Sequence, residues 1–151
     1  MHISKKTDYA LRAVLELATS PDALYRGEEI ARAQNIPPKF LENILLDLKR
    51  AEIVNTQRGV GGGYQLARRP NEISLADVVR AVDGPLVTVH GRRPDVVEYD
   101  GVASSLRDVW IAVRVNLRDV LEAVTLADLT CGTLPREIQE LLERPDARSR
   151  H

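Results

Sequence analysis

The chain has 151 residues, 44% of them hydrophobic, which is enough for one domain with a proper core and excludes disorder throughout. A net charge of −1 argues by itself against a polyanion binder, but the charge is unevenly spread: residues 1–70 carry 11 Lys and Arg against 8 Asp and Glu, and residues 71–151 carry 10 against 14. No apolar run approaches the ~20 residues that span a bilayer, the N-terminus reads as neither signal nor transit peptide, and the single cysteine allows no internal disulfide or multi-cysteine metal site, so the cytoplasm is the expected location.

In chain order, "DYALRAVLEL" spaces Leu11, Val14, Leu15 and Ala18 along one helical face, with Ser4 or Thr7 as the cap. A connection around Pro21 follows, with a short strand at Leu24–Tyr25. "GEEIARAQN" reads as a short helix with Ile30, Ala31 and Ala33 inward. "IPPKFLENILLDLKRAEI" is a longer one: Pro37 and Pro38 suit its first turn, and Leu41, Ile44, Leu45 and Leu48 form its buried stripe. Lys39, Glu42, Asn43 and Arg50 fall away from that stripe, and Phe40 sits at its edge. "IVNTQ" and "YQLAR" are β-prone runs joined by "RGVGGG", a hairpin holding four of the nine glycines.

Next, "SLADVVRAVDG" is a helix with a Ser74–Asp77 capping box, packing residues Leu75, Val78, Val79 and Val82, and Gly84 at its end. Residues 85–102 read as a loop, with a short strand at Leu86–Val89. In "SSLRDVWIAVRVNLRDVLEAVTL", Leu106, Trp110, Val113, Leu117, Val120 and Val124 recur in alternating steps of four and three, a heptad seam that Val109 and Leu121 widen. A last short helix covers "LPREIQELLERP", and "DARSRH" reads as frayed.

Three helices followed by a glycine-tipped hairpin is the order of a winged helix-turn-helix. The fold class is therefore mainly α with a small β-wing, plus a long C-terminal helix for dimerisation. The geometry suits duplex DNA: the major groove admits one helix while the hairpin reaches a neighbouring groove or phosphate. A tip without side chains can approach the sugar-phosphate wall, and its N–H groups can donate to phosphate oxygens. The rival, a nucleotide phosphate loop, is disfavoured. "GVGGGY" lacks the lysine followed by Ser or Thr of a Walker loop, and it precedes a strand-like run where a dinucleotide fold needs a helix.

The stretches "SKKTDYALRAVLELA", "EEIARAQNIPPKFLENILLDLKRAEIV", "RGVGGGYQLAR", "EISLADVVRAVDGPL" and "VWIAVRVNLRDVLEAVTLADL" resemble the Rrf-two family of bacterial transcription regulators. The glycine wing followed by "ISLADVVRAVDGP" is the most specific part. The resemblance implies a homodimeric, DNA-binding regulator, a repressor, on a near-palindromic operator. It implies a DNA-binding unit over 1–84, a sensor or connecting loop over 85–102, dimerisation and C-terminal helices over 103–145, and a tail over 146–151. The heptad seam independently calls for a partner surface; packing of its outer positions, such as Trp110, on their own subunit is the alternative.

The resemblance also places base reading at Lys39, Phe40, Glu42 and Asn43. Asn can pair with adenine, Glu can accept from cytosine, and a ring can contact a thymine methyl or a sugar. Lys39 as a phosphate contact, Glu42 as a solvated acid and Phe40 as a core residue are the competing readings. Lys5, Lys6, Arg58 and Tyr64 are phosphate candidates, with Gly59, Gly61 and Gly62 forming the wing.

Many family members hold an iron–sulfur cluster on three cysteines in the loop after "DGP". Here residues 85–105 contain no cysteine, so no metal site and no cofactor are expected. Asp8 stands where some members supply an acidic ligand, but it also reads as a first-turn helix acid; His90 lies in the loop. Cys131 is either a small half-buried apolar residue or a thiol for redox sensing or an inter-subunit disulfide. The candidate signals are a partner protein, a small molecule or a thiol. A winged helix that binds protein rather than DNA is the alternative function. No pairing of nucleophile and base points to an enzyme.

Overall fold

The computed structural model describes residues 2–149. Helix α1, Lys5–Ala18, starts at Ser4, whose Oγ accepts the Thr7 N–H at 3.0 Å. Its inner face is Ala10, Ala13, Val14 and Leu17, all at most 1% exposed, and the small alanines let other elements approach its backbone. Helix α2, Gly27–Gln34, is closed by Asn35 in the left-handed region. Helix α3, Pro38–Arg50, follows with Leu41, Ile44, Leu45 and Leu48 buried, each side chain contributing about 1.5–3 kcal/mol by burial.

Strands β1, Val54–Gln57, and β2, Gly63–Leu66, pair antiparallel from Val54↔Leu66 to Gln57↔Gly63. The expected strand at Leu24–Tyr25 is a single bridge to this hairpin. Tyr25 and Tyr64 exchange backbone hydrogen bonds of 2.9 and 2.7 Å, which tie the wing to the turn before α2. Helix α4, Leu75–Asp83, has the reciprocal Ser74–Asp77 cap, at 3.0 and 3.1 Å, and ends at Gly84 with φ +81°.

Helix α5, Leu106–Ala123, has no buried residue. It rests on α4 and on the short 3₁₀ turn Pro94–Val96. Two further helices complete the chain, α6 at Leu126–Cys131 and α7 at Arg136–Leu142.

Several expectations are corrected here. Ala33 is exposed, because α2 buries only Ile30 and Ala31. No strand forms at 86–89; Val89 bridges Arg92 in an isolated turn. Helix α6 was not anticipated, although "TLAD" carries its signal, a Thr125–Asp128 capping box. Val124 lies beyond α5, not on its seam. Residues 73–75 and 124–126 pair antiparallel, with Leu75 N–H to Val124 O and Leu126 N–H to Ile73 O both at 3.0 Å. That pairing buries Val124 (3% exposed) and brings Leu126 (0%) into the core with α1. Of the expected frayed tail, residues 150 and 151 lie outside the described residues, while 146–149 make a turn closed by Ser149 N–H to Asp146 O at 3.0 Å.

Candidate nucleic-acid interface

The glycines of the wing serve the hairpin itself. Gly59 and Gly61 have φ of +96° and +76°, conformations that favour glycine. A Cβ on Gly62 would lie 2.9 Å from the Gly59 carbonyl oxygen, and one on Gly63 would lie 2.5 Å from the Tyr25 carbonyl oxygen. The tip keeps one apolar side chain, Val60, which is fully exposed.

Between α3 and this hairpin runs an open groove. Glu42, Asn43, Leu46 and Lys49 of α3 face Thr56, Gln57, Arg58 and Tyr64 of the wing. The fold thus brings four of the candidate residues together: Glu42, Asn43, Arg58 and Tyr64. Lys49, Thr56 and Gln57 were not anticipated from the sequence. Lys49 was legible in principle, because 42, 46 and 49 share a helical face. Thr56 and Gln57 join only through the hairpin's position.

Lys39 and Phe40 sit outside the groove, in the first turn of α3. Phe40 is 42% exposed and meets Tyr9 edge-to-face, with ring centroids 5.5 Å apart. The Arg12 guanidinium lies over the same Tyr9 ring at 4.8 Å. The Asn43 amide only brushes the Lys39 carbonyl at 3.5 Å, so it remains able to turn outward.

The charges sort into free and engaged. Lys5, Lys39, Lys49 and Arg58 have no ion-pair or side-chain hydrogen-bond partner among the described residues, so each can neutralise a phosphate. Lys6 is engaged: its Nζ lies 2.7 Å from Asp47 Oδ2 on α3 and donates to the Val82 carbonyl of α4 at 2.8 Å. Asp8 pairs with Arg12 at 3.0 Å as a first-turn acid.

The family profile of an iron-dependent transcriptional regulator, Rrf2, matches residues 3–132. The chain belongs to the Rrf2 (Rrf-two) family. Rv1287 of Mycobacterium tuberculosis H37Rv, named as an HTH-type transcriptional regulator, is 42% identical, covering 100% of this chain and 96% of that protein. CymR of Bacillus subtilis, an HTH-type transcriptional regulator, is 34% identical over 88% of this chain and 92% of its own. Among solved structures, that of CymR, the global cysteine regulator of B. subtilis, superposes with a TM-score of 0.74 at 31% identity, covering 88% of this chain and 98% of the other. T. potens IscR gives 0.71 at 28% identity, over 87% and 88%. The winged-helix architecture of these Rrf2 regulators is the fold found here.

The residues of this Rrf2 chain do not fit the iron that the profile's description implies. Among the described residues no three His, Cys, Asp or Glu side chains converge. The one thiol, Cys131, is the last residue of α6 and is exposed rather than half-buried. His90 is in a loop turn at φ +50°, and Asp8 is held by Arg12.

On α5, Val109, Ala112, Val113, Asn116, Leu117 and Val120 form an open, mostly apolar strip. It contains Val113, Leu117 and Val120 of the expected seam. Leu106 is 37% exposed at the helix start. Trp110 is half-buried, and its indole Nε1 is buried without an acceptor among the described residues. Among the described residues no helix is long and apolar enough to cross a membrane.

Proposed function

We propose that this Rrf2 chain is a sequence-specific DNA-binding repressor that acts as a homodimer on a near-palindromic operator in the cytoplasm, without enzymatic activity and without an iron–sulfur cluster. The observation that carries the reading is the groove in which Asn43 and Glu42 of α3 face Arg58 and Tyr64 of the wing. Base-reading amide and carboxylate groups stand beside unpaired cations, the combination that separates sequence readout from phosphate anchoring. Lys39 and Phe40 extend the reading edge along the first turn of α3. Lys5, Lys49 and the backbone at Gly59, Gly61 and Gly62 hold phosphates. Residues 1–84 form the DNA-binding unit, 85–102 the connecting and sensing loop, and 103–145 the dimerising part, joined through the strip on α5.

Selection of bound duplex from a random pool tests this directly. The expected product is a motif with twofold symmetry, bound by a dimer in sedimentation, with no iron–sulfur absorbance in freshly purified protein. A pool that emerges without enrichment overturns the DNA reading and favours a winged helix that regulates by gripping a partner protein. The signal is a small molecule, a partner protein or the Cys131 thiol, in keeping with a donor set unsuited to iron.

A further inference from the structure

A second cleft lies on the side of the molecule where α1 begins, α4 ends and α5 passes. Its volume is about 360 Å³, within the range of small-ligand sites. Its walls are largely apolar: Ile3, Val79, Leu86 and Val87 on one side, Leu117 and Leu121 of α5 on the other. His2 and Thr88 also line the cleft, and its other polar residues, Thr7 and the exposed Asp83, meet at the end of α4. There Asp83 Oδ2 accepts from Ser4 Oγ at 2.5 Å and from Thr7 Oγ1, while Thr7 itself is 1% exposed. Both partners are neutral hydroxyls. No basic side chain lies within ion-pair reach of Asp83 among the described residues, and Oδ1 has no hydrogen-bond donor there. The carboxylate also stands on the C-terminal end of α4, where the helix dipole adds negative potential.

We propose that this cleft binds a small organic cation, an ammonium or amidinium group carried on an apolar body of up to about ten heavy atoms, with the cation on Asp83 and the body between Val79 and Leu117. A carboxylate left with neutral partners beside an apolar hollow favours a positively charged donor over a neutral one, and repels an acid.

Occupancy would reach the recognition helix along α1. Ser4 and Thr7, which hold Asp83, flank Lys6, which holds Asp47 of α3. A cation that draws Asp83 away loosens the joint between α1 and α4, which also includes the bond from Lys6 to the Val82 carbonyl. This relay rests on the DNA-binding reading; the ligand site does not, and its wall at Leu117 adjoins the strip proposed for dimerisation.

Phenethylamine, 2-phenylethanol and phenylacetate share one apolar body and differ in charge. Titrated into the full chain without DNA and followed by protein-observed NMR, the amine is expected to bind about tenfold or more tighter than the alcohol, with the acid weakest. Shifts should centre on Val79, Thr88 and Leu117. D83N retains acceptors for Ser4 and Thr7 and should erase the preference for the amine, and V79F should fill the cleft and abolish binding of all three. Equal binding of the three, an unchanged preference in D83N, or shifts confined to another face overturns the site. The comparison among the three probes needs no variant, so it stands even if a variant fails to fold. With the selected operator, saturating amine should change affinity severalfold in the wild type and not in D83N. Amine binding with unaltered operator affinity overturns the relay alone.

Discussion

Asn43 and Arg58 face one groove but, in the proposed complex, carry different information. An amide at a base edge discriminates, so Asn43→Ala should lower affinity for the selected operator by about 1–3 kcal/mol and relax preference at one position of each half-site. A free guanidinium neutralises a phosphate, so Arg58→Ala should weaken all duplexes alike and reduce the salt slope by about 1. Fluorescence anisotropy across a salt series, on operator and scrambled DNA, separates the two; an unchanged slope for Arg58→Ala would remove the wing from the interface. Lys6 gives the opposite result. Its charge is already matched by Asp47, so Lys6→Met should leave the salt slope alone and lower stability by roughly 1–3 kcal/mol in urea unfolding. These distinctions follow from whether a cation has a protein partner, not from residue type.

Among the elements, the wing depends on a contact that its own sequence does not reveal. Gly63 lies against the Tyr25 backbone, so Gly63→Ala forces the hairpin off that bridge. A loss of roughly 1–3 kcal/mol is expected, with faster amide exchange at Tyr25 and Tyr64. If exchange at those two amides stays at wild-type rates, the bridge does not anchor the wing. The connecting loop is tied to α5 by a different device. Arg93 donates to both Asp95 oxygens, at 3.0 and 2.9 Å, and Arg114 of α5 lies 3.8 Å away. The Arg93 hydrogen bonds first, and the charge of Arg114 with them, hold the Asp95 carboxyl below its ordinary value of 3.8. A carboxyl lowered by folding stabilises above its ordinary pKa, and the effect fades as the pH falls through the lower folded value. Asp95→Asn should therefore slightly lower the melting temperature at neutral pH, and the difference from wild type should close in acid. The site is open to solvent, which keeps the effect small.

At the scale of the whole molecule, α5 contributes a long helix and no buried side chain. In the proposed dimer its apolar strip is the partner surface. Val113→Glu, at the middle of that strip, should convert the dimer to a monomer in sedimentation while the circular-dichroism melt shows a folded chain. Operator affinity should fall with it, because two linked recognition helices become one. A variant that instead unfolds would assign the strip to the core. Val124→Glu provides the contrast: the residue is only 3% exposed beside the pairing with Leu75, so an unpaired carboxylate there should prevent folding.

Local chemistry decided much of this in the sequence alone. Apolar spacing marked the stripe of α3, Ser74 with Asp77 marked the start of α4, and the glycine run marked the hairpin, because each signal lies within a few residues of its effect. On α1 the spacing caught Val14 and Ala18 but put the half-buried Leu11 and Leu15 in place of the buried Leu17, Ala10 and Ala13, the last two small enough to let neighbouring elements close in. The order of those elements was enough to point to a winged helix. Tertiary structure decided what local pattern cannot: that Lys6 is matched by Asp47, that Tyr25 bridges Tyr64, that Thr56 and Gln57 face Asn43, and that Val124 leaves the seam to pair beside Ile73. Each of these joins residues far apart in the chain, and such contacts form only once the helices have packed. The α5 seam shows the same limit. Its period was visible from the start, but the face it leaves open was set by how α4 and the loop cover the other side.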